Sequence, residues 1–137
     1  MAYRVLLSER ERFAAIELSG AVTFEDLAAA MRALYGHPGW DPSFYVFWDA
    51  LAITQLDIPP TDLPSVKALM DETAVARAGG RSAVRVKDDV EAVLAVLFAQ
   101  FGPPTGRPMG TFRSLAEALA FLDRTALPED TVVIAAS

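Results

Sequence analysis

The sequence predicts an α/β domain with a mostly parallel sheet, an antiparallel N-terminal edge and helices packed on the sheet. Two short β-prone runs open the chain with a charged turn between them, which is typical of a hairpin. Strands and helices then alternate in the order β-β-α-β-α-β-α-β-α, a pattern typical of parallel sheets. The length of 137 residues suits one domain with one core.

The opening hairpin and the first helix are predicted from short-range patterns. Strands are expected over residues 3–8 and 13–18. Apolar residues then recur at helical spacing over residues 24–35. Thr23 and Asp26 have the spacing of a capping box, so this helix should begin directly after Thr23 and end before the glycines and proline that follow it.

The middle of the chain is expected to supply the centre of the sheet. Residues 44–48 form an unbroken aromatic and β-branched run, which indicates a strand buried on both faces. A second helix is predicted over residues 62–78, with Thr61 as its cap and two glycines after its end. Residues 82–86 are expected to form the next strand.

The last third of the chain is predicted to add two helices and a strand. Residues 88–101 begin with two aspartates and carry the clearest helical apolar face in the sequence. A strand is expected near residues 109–113 after a connecting loop. Ser114 and Glu117 then form a capping box for a fourth helix.

The domain is expected to span residues 1–124, followed by a tail at 125–137. Residues 131–135 of this tail are β-prone and lie outside the alternating pattern. They are a candidate extra strand, pairing with an edge of their own chain or of a neighbouring one.

Composition narrows the classes of function. The absence of cysteine excludes disulfides, thiolate zinc sites and cysteine nucleophiles. A formal net charge of −6 argues against nucleic acid as the main partner, since phosphate binding needs a basic surface. No apolar run is long enough for a membrane span or a signal peptide, so we expect a soluble, cytoplasmic protein.

No catalytic, metal or cofactor site is predicted from the remaining motifs. His37 is the single histidine, and its Gly-His-Pro-Gly-Trp context indicates a turn residue. The acids at 57 and 62, 71 and 72, and 88 and 89 are explained by helix N-termini and solvated faces. The glycines of residues 102–110 do not have phosphate-loop spacing, so that segment is interpreted as a plain connector.

Two features leave alternatives open. Positive charge is concentrated near one strand by Arg77, Arg81, Arg85 and Lys87. These residues indicate an anion site, a surface for a negatively charged partner, or the charged protection of an edge strand. The back of the helix expected over 88–101 is also apolar, and a helix of this kind is either buried on two sides or forms a contact surface. The residues that would make this subunit or partner contact are Ala92, Val96 and Ala99.

Several motifs carry a resemblance to a known family. Residues 46–49 read VFWD and have the form of a strand closing on an acid, while Asp57 falls near a second acid. Arg-Ser-Ala-Val at 81–84 and the segment 111–122 complete the pattern. Over residues 3–123 the chain resembles the STAS-like domains, the fold of SpoIIAA-type anti-sigma-factor antagonists, and more closely the small bacterial SpoIIAA-like or STAS/SEC14-like proteins.

The resemblance implies binding rather than catalysis. Ile58-Pro59-Pro60 stands where the antagonists carry their phosphorylated serine, so the kinase-controlled switch is missing. We expect a non-enzymatic bacterial interaction domain that binds a protein partner or itself, without a cofactor. The alternative is a SEC14-like carrier of a small apolar ligand, and an enzyme built on loop acids is a weaker third. The candidate partner-binding residues are Asp49, Asp57, Thr61, Ala92, Val96 and Ala99. Thr61 is interpreted as a helix cap, with phosphorylation as the functional alternative.

Overall fold

The computed structural model describes residues 1–87 and 106–137 of the chain. The helix expected over 88–101 lies outside the described residues, and so do the candidate contact residues Ala92, Val96 and Ala99. Among the described helices, none has the length and apolar composition required to cross a bilayer.

Six strands and three α-helices make up the described part of the chain. A single 3-10 turn, Pro60–Asp62, precedes the second helix. In chain order the elements are β1 (Tyr3–Ser8), β2 (Phe13–Thr23), α1 (Phe24–Tyr35), β3 (Tyr45–Asp57), α2 (Leu63–Thr73), β4 (Ser82–Arg85), β5 (Met109–Phe112), α3 (Leu115–Phe121) and β6 (Val132–Ala136).

The strands form one sheet in the order β5-β4-β3-β2-β1-β6. Neighbouring strands from β2 to β5 are parallel, and β1 is antiparallel to both of its neighbours. The predicted α/β fold class, with its mostly parallel sheet and antiparallel N-terminal strand, is confirmed. The β-prone tail forms β6, which pairs with β1 of its own chain and so becomes the edge of the sheet beyond the N-terminal hairpin.

Both β2 and β3 are longer than the sequence predicted. The strand expected to stop at Trp48 continues to Asp57, and its parallel neighbour β2 continues to Thr23. The two strands pair along this whole length with two register shifts. The acid at position 49 was expected to end the strand. It remains inside the sheet because Arg85 on β4 neutralises it.

The sheet has an apolar core on each face. On one face, α1 and α2 cover the larger core. Its fully buried side chains include Ile16, Val22, Leu27, Met31, Leu34, Val46, Leu69 and Met70. On the other face, α3 covers a smaller core formed by Phe13, Ala15, Phe47, Ala83, Ala118 and Leu122. Burial of these side chains is the main favourable term in folding.

The helix starts show which capping patterns are formed. The Thr23 hydroxyl accepts from the Asp26 N–H at 3.2 Å, and the Asp26 carboxylate accepts from the Thr23 N–H at 2.9 Å, so the predicted capping box of α1 is confirmed. At α3, the Ser114 hydroxyl accepts from the Glu117 N–H at 3.3 Å, which is one of the two hydrogen bonds of the predicted capping box.

The predicted bounds and cap of the second helix are wrong. Thr61 is exposed within the 3-10 turn, and α2 begins at Leu63 without a side-chain cap. The tight turn already supplies acceptors for the first N–H groups, since the Asp62 N–H donates to the Pro59 carbonyl and the Leu63 N–H to the Pro60 carbonyl. The helix also ends at Thr73, five residues before the predicted Ala78, because the chain then tightens into turns.

The Arg107 guanidinium ties together the amino ends of β3, β4 and β5. Within the described part of the chain it donates to the carbonyls of Pro42 (2.8 Å), Phe44 (2.8 Å), Arg77 (3.1 Å) and Arg81 (2.8 Å) and to the Ser82 hydroxyl (3.2 Å). The group also lies 5.4 Å from the ring centre of Trp40. Burial lowers the pKa of Arg107 from its ordinary value. The segment interpreted as a plain connector therefore contains a structural clamp, which we call the Arg107 clamp.

Gly80 is required beside this clamp. Its φ is +67°, and an added Cβ would lie 2.4 Å from the Phe44 carbonyl oxygen and 2.9 Å from Arg107 Nη2. Any side chain here would displace a strand start or the guanidinium.

Arg107→Lys is expected to lower the free energy of unfolding by about 3 kcal/mol, because a lysine has three donors at one point and cannot reach five acceptors. Urea denaturation would measure the loss. Arg10→Lys is the control, since Arg10 is highly exposed and its ion-pair distances are 3.5 and 3.6 Å. A loss no larger than that of the control, about 0.5 kcal/mol or less, would contradict the clamp.

Candidate functional site

Four charged side chains cross four neighbouring strands on the α3 face of the sheet. Arg4 on β1 is in register with Glu17 on β2, Glu17 with Asp49 on β3, and Asp49 with Arg85 on β4. Side chains that are in register point to the same face. We call Arg4, Glu17, Asp49 and Arg85 the charged row.

The pair at one end of the charged row is held tightly. Arg85 donates from Nη2 to Asp49 Oδ2 at 2.7 Å and from Nε to Oδ1 at 3.1 Å, so the contact is bidentate. The two side chains are only 20% and 23% exposed, and Asp49 Oδ1 also accepts from the Leu51 N–H at 3.2 Å. The hydrogen bond with Asp49 raises the pKa of Arg85 above its ordinary value.

The pair at the other end is more open. Arg4 Nη2 donates to both carboxylate oxygens of Glu17, at 2.9 and 3.0 Å. These side chains are 43% and 42% exposed, so solvent and salt screen their attraction more strongly. The hydrogen bond with Glu17 raises the pKa of Arg4.

A cleft of about 210 Å³ opens beside the charged row. The residues that line it are Met1, Tyr3, Arg4, Glu17, Leu18, Ser19, Asp49 and Ala52. It lies toward the carboxyl ends of the parallel strands, since β4 ends at Arg85 while β2 and β3 continue beyond the row. Ligands of open α/β sheets commonly bind outside these strand ends.

The charged row has an ordered pattern of charge. Its signs run plus, minus, minus, plus across adjacent strands, which are spaced about 4.8 Å apart. Both oxygens of Asp49 are already engaged by donors, and Glu17 accepts from Arg4. The contacts of Asp49 with Arg85 and with the Leu51 N–H hold its carboxylate in one orientation.

The structure does not bring the predicted site residues together. Asp49 lies in the charged row, whereas Asp57 is exposed eight residues further along β3, about 26 Å away in an extended strand. Thr61 is exposed in the turn that follows. The Nδ1 atom of His37 accepts from the Gly39 N–H at 3.0 Å, which agrees with its interpretation as a turn residue.

The basic cluster predicted near β4 is dispersed. Arg77 donates to the Met70 carbonyl and the Thr73 hydroxyl. Arg81, which directly precedes β4, donates to the Phe121 carbonyl on α3. Arg85 belongs to the charged row at the other end of that strand. The edge-strand explanation is wrong because β4 has a neighbour on both sides, and these arginines do not converge on one anion site.

Sequence reasoning missed Arg4 and Glu17. Each is an isolated charge in an otherwise apolar strand, in YRVLL and FAAIEL respectively. An unmatched charge at such a position signals a partner on a neighbouring strand. Identifying that partner requires the register, which the sequence alone does not determine.

Comparison with solved structures agrees with the predicted fold. The chain is similar to the crystal structure of an uncharacterised protein of the DUF3478 family with a SpoIIAA-like fold, from Shewanella loihica PV-4. The TM-score is 0.56 at 13% identity, and the match covers 89% of this chain and 96% of the other. The predicted SpoIIAA-like fold is thus confirmed. No family model and no curated protein matches the sequence.

A double-mutant cycle would measure the coupling free energy between Asp49 and Arg85 of the charged row. With Asp49→Asn and Arg85→Gln, we expect a coupling free energy of about 1–2 kcal/mol in urea denaturation, because both groups are largely shielded from solvent. The control cycle uses Lys67→Gln and Asp71→Asn, an exposed i,i+4 pair on α2, for which less than about 0.5 kcal/mol is expected. Equal coupling free energies in the two cycles would contradict the shielding of Asp49 and Arg85 from solvent.

Proposed function

We propose that this chain is a non-catalytic interaction domain that recognises a protein partner through the charged row. The observation that carries the proposal is the register that fixes four charges on four adjacent strands, with one pair shielded and one open. A surface built on a sheet holds its charges in place before binding, so little conformational entropy is lost on contact.

The charge pattern indicates the kind of partner. A complementary surface would present minus, plus, plus, minus, with its central cations facing Glu17 and Asp49. The chain as a whole carries a formal charge of −6, which would favour the approach of a basic partner. The more open Arg4–Glu17 pair is the part of the row that a partner can reorganise at low cost.

Asp57 and Thr61 extend the proposal to the other end of β3. Both are exposed, and Asp57 adds a further negative charge to the ribbon that β2 and β3 form beyond the row. In this proposal the exposed hydroxyl of Thr61 is open to phosphorylation, which would add negative charge next to α2.

The carrier alternative gains no support from the described residues. Large, fully buried side chains such as Met31, Leu34, Leu69 and Met70 fill the space between α1, α2 and the sheet. An apolar ligand would have to displace them, and side chains packed at this density resist displacement.

Mass spectrometry of protein isolated from its own cells would test both the carrier alternative and the phosphorylation of Thr61. Under native conditions we expect the mass of the polypeptide without a retained small molecule, and a tightly held ligand would favour the carrier instead. Under denaturing conditions the mass of one added phosphate, located by fragmentation at Thr61, would support modification there. Its absence under several growth conditions would remove Thr61 from the proposal.

A charge-swap variant would test recognition by the row. Asp49→Arg with Arg85→Asp preserves the ion pair and the net charge, but changes the order of signs to plus, minus, plus, minus. We expect this variant to lose at least tenfold in the recovery of partner proteins when immobilised protein captures them from a lysate of the source cells. The matched control is Lys67→Asp with Asp71→Lys, which swaps the exposed pair on α2.

Quantitative proteomics would compare the three proteins. Partners retained by the parent and the control but lost by the row variant would support the proposal. The same set of captured proteins on all three would contradict it, and so would an empty set on the parent.

A further inference from the structure

The two edge strands of the sheet, β5 and β6, differ in their sequences. The β5 edge is four residues long, follows Pro108, contains Gly110 and is followed by Arg113. Short length, proline and charge are features that prevent an edge strand from pairing with another chain. The β6 edge is one residue longer and reads VVIAA, with no charge, proline or glycine within the strand.

The β6 edge also exposes apolar side chains on both faces. Val132 is 63% exposed and is in register with Leu7, which is buried on the α1 face. Val133 is 48% exposed and is in register with Leu6, which packs on the α3 face. An open strand with apolar surface on either side is a site where a further strand can add to the sheet.

Backbone groups of β6 point outward at this edge. The Ser137 N–H donates to the Tyr3 carbonyl at 3.1 Å, so residue 137 directs its backbone toward β1. Because the direction alternates along an antiparallel strand, the N–H and C=O of Ala136 point away from β1. In the described part of the chain no strand lies beyond β6 to receive them.

We propose that β6 pairs antiparallel with β6 of a second copy of this chain, extending the sheet across a two-fold axis. No side chain of the strand is charged, so self-pairing places no like charges opposite each other. Glu129 and Asp130 precede the strand, and Arg4 is in register with its far end at Ala136. Antiparallel pairing about Val133 would place Asp130 of one copy opposite Ala136 of the other, about 10 Å or two strand spacings from that copy's Arg4.

The contact covers the exposed surface of Val132 and Val133 in both copies. With the axis at Val133 the contact runs from Asp130 to Ala136 in each copy, which is smaller than a standard interface of roughly 1,600 Å², so we expect weak, concentration-dependent association. This surface shares only Arg4 with the charged row, and the charge-swap variant leaves both Arg4 and β6 unsubstituted.

Sedimentation equilibrium of the full chain over a range of concentrations would test the proposal. We expect the apparent mass to rise from 14.8 kDa toward twice that value. Val133→Lys should weaken the association at least tenfold, because the two lysines would meet across the axis. Met109→Lys makes the same change at the opposite edge and should leave the association unchanged. Urea denaturation would show that both variants fold.

Amide exchange of the parent protein gives a second measurement that needs no variant. In the dimer Ala136 of one copy faces the Asp130 backbone of the other, so its outward N–H donates across the contact and its exchange should slow as the concentration rises, whereas the exchange of α2 amides should not. A parent that remains monomeric would overturn the proposal, as would equal association of Val133→Lys and parent, or an Ala136 amide whose exchange is independent of concentration.

Discussion

The hydrogen bonds that Arg107 donates at the starts of its neighbouring strands are the constraint on which the alignment of β3, β4 and β5 depends. Their acceptors include carbonyls of the segments that lead into β3 and β4. Since Arg107 itself precedes β5, these bonds hold the start of β5 beside the starts of β3 and β4. The clamp fixes the alignment at Val46 and Ser82, and the parallel ladder carries that alignment three residues further to Asp49 and Arg85. A shift of one residue would turn these side chains to opposite faces. The charged row therefore depends on a guanidinium at the other end of the strands.

The charged row is difficult to explain by stability alone. A shielded ion pair seldom stabilises a fold more than apolar residues of similar volume, because desolvation offsets most of the Coulomb attraction. On the same face, Phe47 and Ala83 occupy the positions two residues earlier on β3 and β4 and belong to the α3 core. An apolar pair at Asp49 and Arg85 would simply extend that core. Charges at this place, where the α3 core ends, are what the proposed recognition of a partner by this face would require.

The order of the elements was predictable from the sequence, because the hairpin, the Thr23 capping box and the alternation are local patterns. The length of β3 was not, since the partner that keeps Asp49 inside the sheet lies 36 residues away. The Thr61 cap failed because a proline-led 3-10 turn satisfies the same N–H groups. The role of Arg107 could not be predicted for a similar reason, since its acceptors lie 25 to 65 residues away along the chain. The helix expected over 88–101 and its contact residues stay predictions.

The two proposed surfaces are linked by β1, which carries Arg4 of the charged row and forms the ladder with β6. A two-fold axis between antiparallel strands is perpendicular to the sheet, so a pair joined at β6 would present both charged rows on the same face. Two β6 strands would separate the rows. A partner that repeats its own charge pattern could then engage both rows at once, and the second contact would form at a high effective concentration. Weak association at β6 would thus be strengthened by such a partner, because linkage makes the two binding events support each other.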